Sequence, residues 1–520
     1  MHHATRRVDG GTLVGRRLAG GAVVAFLGIP YAAPPVGPLR WRPPQPPEPW
    51  TGERDATRFA PNAPQYELHP DSLYAGGHER QSEDCLYLNV WAPAEPEGDL
   101  PVLVWLHFGA FQYGGASVPL YDGSHLARAG LVVVTLNHRL GRLGFLAHPA
   151  LSRESASGTS GNYGLMDQVA ALEWVQRNIA EFGGDPGNVT FGGVSAGSSA
   201  VNLLLTSEMT RGLLHRAVGM SGAQLGPVGA SGRLGDGLQD LESAERSGEI
   251  LAASLGAHDA DALRALTPEQ LMGAALPPPP GPTWRVDSGM PISRNVFDTS
   301  YPIVDDHVVP GDPYERYEAG RFHDVPLMTG SAADERAGMP YLSDPALFEA
   351  DARAELGDLA DRFLELFPPG DEAATRLSSQ RANGDRIFIW QNWTWARLHA
   401  AAGRAPTFHY HWLHHPPVPA GRYVEHDAGA FHSAELPYLF RNLAVRDWPW
   451  REEDRHLSEV LSGQLLRFCA TGDPNGPGLP EWPVFAAPER HTMLLCAEPR
   501  AGAMPRQAEL ALWDRFFRGR

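Results

Sequence analysis

Lysine is absent from this chain of 520 residues, so all 43 basic side chains are arginine. No Schiff-base or other lysine chemistry is open to it. Cysteine is nearly absent too: Cys85, Cys469 and Cys496 are too few for a disulfide framework. No apolar run approaches the 18 or so residues that a membrane span needs. The opening Met1-His2-His3-Ala4-Thr5-Arg6-Arg7 leads into no apolar stretch, so no signal peptide is read there. The chain reads as soluble and cytoplasmic. Its formal net charge of −18 repels phosphate backbones and argues against a nucleic-acid partner. Glycine (56) and proline (47) are frequent enough to imply many loops, though not disorder.

Short apolar runs bounded by turn residues read as buried parallel strands. They are Val102 to Leu106, Leu131 to Leu136, Val189 to Phe191, Pro326 to Thr329 and Thr407 to Trp412. Helical spacing at Leu165, Val169, Leu172, Val175 and Ile179 lies between two of them, stopped by Gly183-Gly184-Asp185-Pro186. This alternation predicts an α/β fold. One domain over 1–520 is expected, with insertions at about 228–300 and 340–400 that shape a substrate pocket. The first insertion carries Pro277 to Pro280. The second ends in Phe388, Trp390, Trp393 and Trp395, read as core packing.

Gly193-Val194-Ser195-Ala196-Gly197 is a G-x-S-x-G pentapeptide. Alone it is a weak signal. Here a strand precedes it and an apolar helical run, Ser199 to Leu205, follows. That is the setting of a nucleophile elbow, a tight strand-to-helix turn that lifts the serine above a sheet. A serine hydroxyl needs a base to take its proton, and the imidazole that does so needs a carboxylate to orient it. In this fold the acid and then the histidine follow the serine in the chain. Asp334 and Glu335 follow a strand, and His432 lies in Gly429-Ala430-Phe431-His432-Ser433. With 21 histidines, spacing alone does not choose the base.

Further segments carry a resemblance. They are Phe26-Leu27-Gly28-Ile29-Pro30-Tyr31-Ala32, Ser82-Glu83-Asp84-Cys85-Leu86-Tyr87-Leu88-Asn89-Val90-Trp91 and Asn137-His138-Arg139-Leu140-Gly141. Gly161-Asn162-Tyr163-Gly164, Phe182-Gly183-Gly184-Asp185-Pro186, Glu435-Leu436-Pro437-Tyr438 and Gly472-Asp473-Pro474-Asn475 follow in order. From about residue 10 to about 515 the chain resembles the type-B carboxylesterases, a family that includes cholinesterases and, closest in character, bacterial para-nitrobenzyl esterases. The resemblance implies an α/β-hydrolase fold with a mostly parallel central sheet, and serine-dependent hydrolysis of small carboxylic esters through an acyl-enzyme. It implies no cofactor and no metal, and says nothing of oligomeric state. It maps the acid onto Glu335, with Arg336 where the family has glycine, and the base onto His432. Asp334 as acid and His426 as base are the alternatives. It places oxyanion donors at the N–H groups of Gly109, Ala110 and Ala196.

Departures from the family pattern bear on the pocket. Phe108 stands where relatives carry glycine, and either packs away from the site or limits the bulk of one substrate arm. Val194 stands where relatives carry glutamate. Phe108, Val194 and Phe431 are candidate pocket residues. The family's disulfide partner for Cys85, near Ala63, is missing, so Cys85 is expected to be a free thiol. Residues 63–85 contain no tryptophan; the strongest cation–π platform for a choline group is missing. The histidines 409, 411, 414 and 415 lack a carboxylate or cysteine to complete a metal set. Amide, carbamate or polyester hydrolysis by the same groups is a rival reading, and a non-catalytic binding protein of this fold is another.

Overall fold

The computed structural model describes residues 3–76, 80–229, 237–274, 284–286, 299–425 and 427–519. Pro277 to Pro280, much of the first expected insertion, and His426 lie outside them. The strands in chain order are β1 (His3–Val8), β2 (Gly11–Leu18), β3 (Val23–Pro30), β4 (Glu53–Asp55), β5 (Tyr87–Pro93), β6 (Leu100–Leu106), β7 (Val132–Leu136) and β8 (Gly184–Val194). There follow β9 (Arg216–Met220), β10 (Gln239–Asp240), β11 (Ile303–Val304), β12 (Leu327–Ala332), β13 (Thr407–Trp412), β14 (Thr492–Leu495) and β15 (Arg500–Gly502).

Thirteen of these strands form one sheet, ordered β1-β2-β3-β5-β7-β6-β8-β9-β12-β13-β14-β15, with β4 on β2. The pairs from β7 through β14 are all parallel, and antiparallel strands close both edges. Both faces of the central strands are covered, which is why they read as unbroken apolar runs. Alternation along β6 sends Val102, Val104 and Leu106 into one core cluster and Leu103 and Trp105 into the other. On β7, Val132 and Val134 go to the first cluster and Val133 to the second.

Helix Tyr163–Asn178 joins β7 to β8 and ends in a 3-10 turn closed by Gly183 at φ 80°. β8 starts at Gly184, five residues before the apolar run, because Leu100 pairs with Gly184 ahead of a register irregularity. The second expected insertion holds helices Pro345–Leu356, Ala360–Leu366 and Glu372–Gly384, then a π-helical turn Asp385–Ile389 running into helix Trp390–Ala402. Among the described residues no helix is long and apolar enough to cross a membrane. The parallel sheet gathers the C-terminal ends of β6, β8, β12 and β13 along one edge, where an open α/β sheet binds its ligands.

Candidate active site

β8 runs straight into helix Ala196–Leu204, and Ser195 between them has φ 57° and ψ −121°. That is a strained conformation for a residue with a side chain. It is held by Ser195 N–H donating to Met220 O (2.7 Å) and by Ser199 N–H donating to Ser195 O (2.9 Å). The flanking glycines are required by contact. A Cβ on Gly193 would lie 2.5 Å from Gly197 C, and one on Gly197 would lie 2.5 Å from Leu106 O. Gly222 is pressed as closely: its Cβ would lie 2.1 Å from Ser195 O.

Glu335 follows β12 and is 1% exposed. Its Oε1 accepts from Ala332 N–H at 2.8 Å, and its Oε2 lies 2.5 Å from His432 Nδ1. A carboxylate only accepts, so Nδ1 carries the proton and the lone pair is left on Nε2. Asp334 does not share this contact. It accepts from Ala430 N–H (2.9 Å) and Arg336 Nε (3.4 Å), and its side chain is 27% exposed. Of the two carboxylates, Glu335 alone is hydrogen-bonded to His432. Arg336 donates to Asp427 O, which ties the acid loop to the loop bearing the histidine.

The loop after β6 is built around backbone orientation. Gly109 has φ 129°, and a Cβ there would lie 1.8 Å from Tyr113 O, so only glycine fits. Ala110 and Phe111 follow at φ 51° and 59°. Gly109 O accepts from the N–H groups of Gln112 (2.8 Å) and Tyr113 (3.0 Å). Phe108 O lies 2.7 Å from His107 Nδ1. In a trans peptide N–H points opposite to C=O. The two anchored carbonyls therefore turn the Gly109 and Ala110 N–H groups the other way. The Ala196 N–H opens the helix after Ser195, at the positive end of its dipole.

Three aromatic rings surround the histidine and the loop. Phe388 stacks on His432 with ring centroids 4.2 Å apart and planes at 28°. Tyr74 meets the same imidazole edge-on at 6.0 Å. Phe108 meets Tyr74, Tyr113 and Tyr121 at 6.1, 6.2 and 5.8 Å and is only 4% exposed. Phe108 thus belongs to the support of the loop. Val194 corrects an expectation: it has no exposed surface and packs in the cluster with Trp105 and Met220, so it cannot wall a pocket. Phe431 is 4% exposed and packs edge-on against Trp448 at 6.3 Å, a core position as well.

Glu435 is fully buried near the pair. Its Oε1 accepts from Tyr410 Oη (2.8 Å), and burial, then the nearby Glu335, pushes its carboxyl up to about 7. Burial and the adjoining His138 hold His107 near 3, and burial holds His138 near 4, so this stacked pair beside the loop after β6 is neutral. The histidine cluster separates by partner: His409 Nδ1 is bonded to Thr492 Oγ1 and His414 Nε2 to Asp454 Oδ1. Among the described residues no three His, Cys, Asp or Glu side chains form a group that could hold a metal. Cys85 is a free thiol with no exposed surface, and burial raises its pKa.

Tyr74, Phe388 and Glu435 are the neighbours that sequence reasoning missed. Glu435 had a signal, since it stands three residues after His432 in the matched Glu-Leu-Pro segment. Tyr74 and Phe388 had none beyond being aromatic.

Residues 2–513 match the family model described as the carboxylesterase family. The chain is 39% identical over 481 residues to the fumonisin B1 esterase of Sphingopyxis macrogoltabida, covering 89% of this chain and 82% of that protein. It is 34% identical over 491 residues to the para-nitrobenzyl esterase of Bacillus subtilis (strain 168), covering 91% of each. It is 32% identical over 543 residues to the human cocaine esterase, covering 97% of this chain and 89% of that one. Among solved structures, a PNB esterase superposes with a TM-score of 0.79 at 32% identity, covering 98% of this chain and 100% of the other. A thermophilic PNB esterase gives 0.80 at 30%, with the same coverage.

Proposed function

Because this chain belongs to the carboxylesterase family and is a carboxylic ester hydrolase of the α/β-hydrolase fold, we propose that it works as a single catalytic domain with Ser195 as nucleophile, His432 as base and Glu335 as the acid that orients it. The observation that carries the assignment is the 2.5 Å contact between His432 Nδ1 and Glu335 Oε2, at the sheet edge where Ser195 sits strained at the end of β8.

The chemistry follows from the groups. Ser195 Oγ attacks the ester carbonyl carbon while His432 Nε2 takes its proton. Glu335 keeps the proton on Nδ1 and offsets the charge that the ring acquires. The carbonyl oxygen becomes an oxyanion against the N–H groups of Gly109 and Ala110, held in place before reaction by the anchored carbonyls, and that of Ala196, held by the start of its helix. His432 then returns the proton to the departing alcohol. Water repeats the sequence on the acyl-enzyme and frees the acid. No step calls for a metal or cofactor.

Small-molecule esters are the proposed substrates, and the cytoplasm the proposed location. Ser195→Ala should lower kcat for p-nitrophenyl acetate by roughly 10⁴-fold or more with unchanged thermal stability. A variant that retains a tenth of the activity would remove Ser195 from the mechanism.

A further inference from the structure

The aromatic stretch near residue 390 splits in the structure. Trp390 stacks on Phe517 at 4.2 Å, and Trp393 meets His409 and Phe485 at 5.3 and 5.0 Å. Trp390 and Trp395 have no exposed surface. These three are core. Phe388 leaves the stretch and lies on the face of His432.

Its place depends on the π-helical turn Asp385–Ile389. A π turn carries an extra residue, so side chains within it lie off the face that the flanking α-helix presents. The turn is fixed to the acid loop from two sides. Gly384 sits so close to Glu335 that a Cβ would lie 2.7 Å from its carbonyl carbon. Asp385 pairs with Arg506, whose second nitrogen donates to Ala333 O at 3.5 Å. The ring on the histidine and the carboxylate that holds it are thus parts of one packed unit.

We propose that Phe388 is a positioning residue for His432, holding the imidazole in plane with Glu335 and favouring the imidazolium formed in each half-reaction. A hydrogen bond at Nδ1 fixes one atom of the ring but leaves its tilt free. A stacked ring on one face, with Tyr74 edge-on to the same imidazole, removes that freedom. The face of a benzene ring is also electron-rich, so it attracts the histidine more when it is a cation than when it is neutral. The imidazolium exists only around the transition states, and interactions made only there raise kcat and leave KM alone.

This rests on His432 being the base, and the experiment separates the two claims. Phe388→Leu, Phe388→Met, Phe388→Tyr and His432→Ala are compared on p-nitrophenyl acetate, with circular dichroism as the check on folding. Phe388→Leu and Phe388→Met each remove the ring and keep most of the volume, so one serves if the other fails to fold. Each should lower kcat about tenfold with KM within twofold, and Phe388→Tyr should restore kcat to within about twofold of the parent. Adding Phe388→Leu to His432→Ala should cost nothing more, since the ring acts only through the imidazole. Two results would overturn the positioning role: a loss confined to KM, or a kcat that Tyr fails to restore in a folded protein. Full activity in His432→Ala would instead overturn the assignment of the base, and the positioning role with it.

Discussion

Phe108 immediately precedes Gly109, where the resemblance calls for glycine, and its ring has settled among three tyrosines. The ring is packed edge-on against Tyr74, Tyr113 and Tyr121 within a core cluster. These contacts favour the packing reading over the pocket-wall reading. Truncating such a ring leaves a cavity that costs about 3–5 kcal/mol. Phe108→Ala is predicted to lose stability of that order in chemical denaturation. Its kcat/KM for a small acetate and for a bulky ester should fall together. A roughly tenfold rise in the bulky-to-small ratio would make the ring part of the pocket wall.

At the scale of elements, the segment before Cys85 shows how a loop without its disulfide stays in place. Glu425, 3% exposed, accepts from Ser72 Oγ (2.6 Å) and from Leu73 N–H (2.8 Å). Val424 N–H donates to Asp71 O at 3.0 Å, and Arg446 donates to Leu73 O. This clamp holds Tyr74 against His432. Hydrogen bonds to a charged group contribute about 1.5–3 kcal/mol each. Glu425→Ala should cost about 3 kcal/mol and expose residues 66–76 to limited proteolysis, with kcat/KM lowered. A loss under about 0.5 kcal/mol with unchanged cleavage would show that the clamp is idle.

The same scale shows what the sequence could and could not say. The central strands were legible because both their faces are buried, and the elbow because its glycines have a steric job. Glu335 and His432 were placed by resemblance, and the contact between them bears on a choice that spacing left open. Val194 was misread because its motif position says nothing about which way the end of β8 faces. Phe388 was illegible because one π turn shifts its register by an amount no residue pattern marks. The Glu425 clamp joins positions over 350 apart, which local reasoning does not reach.

Over the whole molecule, buried histidines set the response to acid. Burial is the first cause in each case, holding His107 and His409 near 3 and His138, His399 and His411 near 4, against an ordinary 6.5. As pH falls below about 6.5 the unfolded chain takes up protons that the folded chain refuses, so stability is lost. Asp385 and Glu435, both raised to about 7 chiefly by burial, work the other way: folded, they keep protons that the unfolded chain gives up. Burial also lowers His148, His215 and His323 and raises Asp305 and Asp312. Eight histidines therefore oppose four carboxyls, and Tm should fall from pH 6.5 to pH 4. A Tm that is flat or rising over that range would contradict this balance. The central claim, that one serine out of the whole chain carries the reaction, is tested most directly with a fluorophosphonate probe. The expected result is one adduct per chain, mapped by peptide mass spectrometry to Ser195, forming in step with the loss of esterase activity. Complete inactivation with Ser195 unmodified and the adduct on another residue would contradict it.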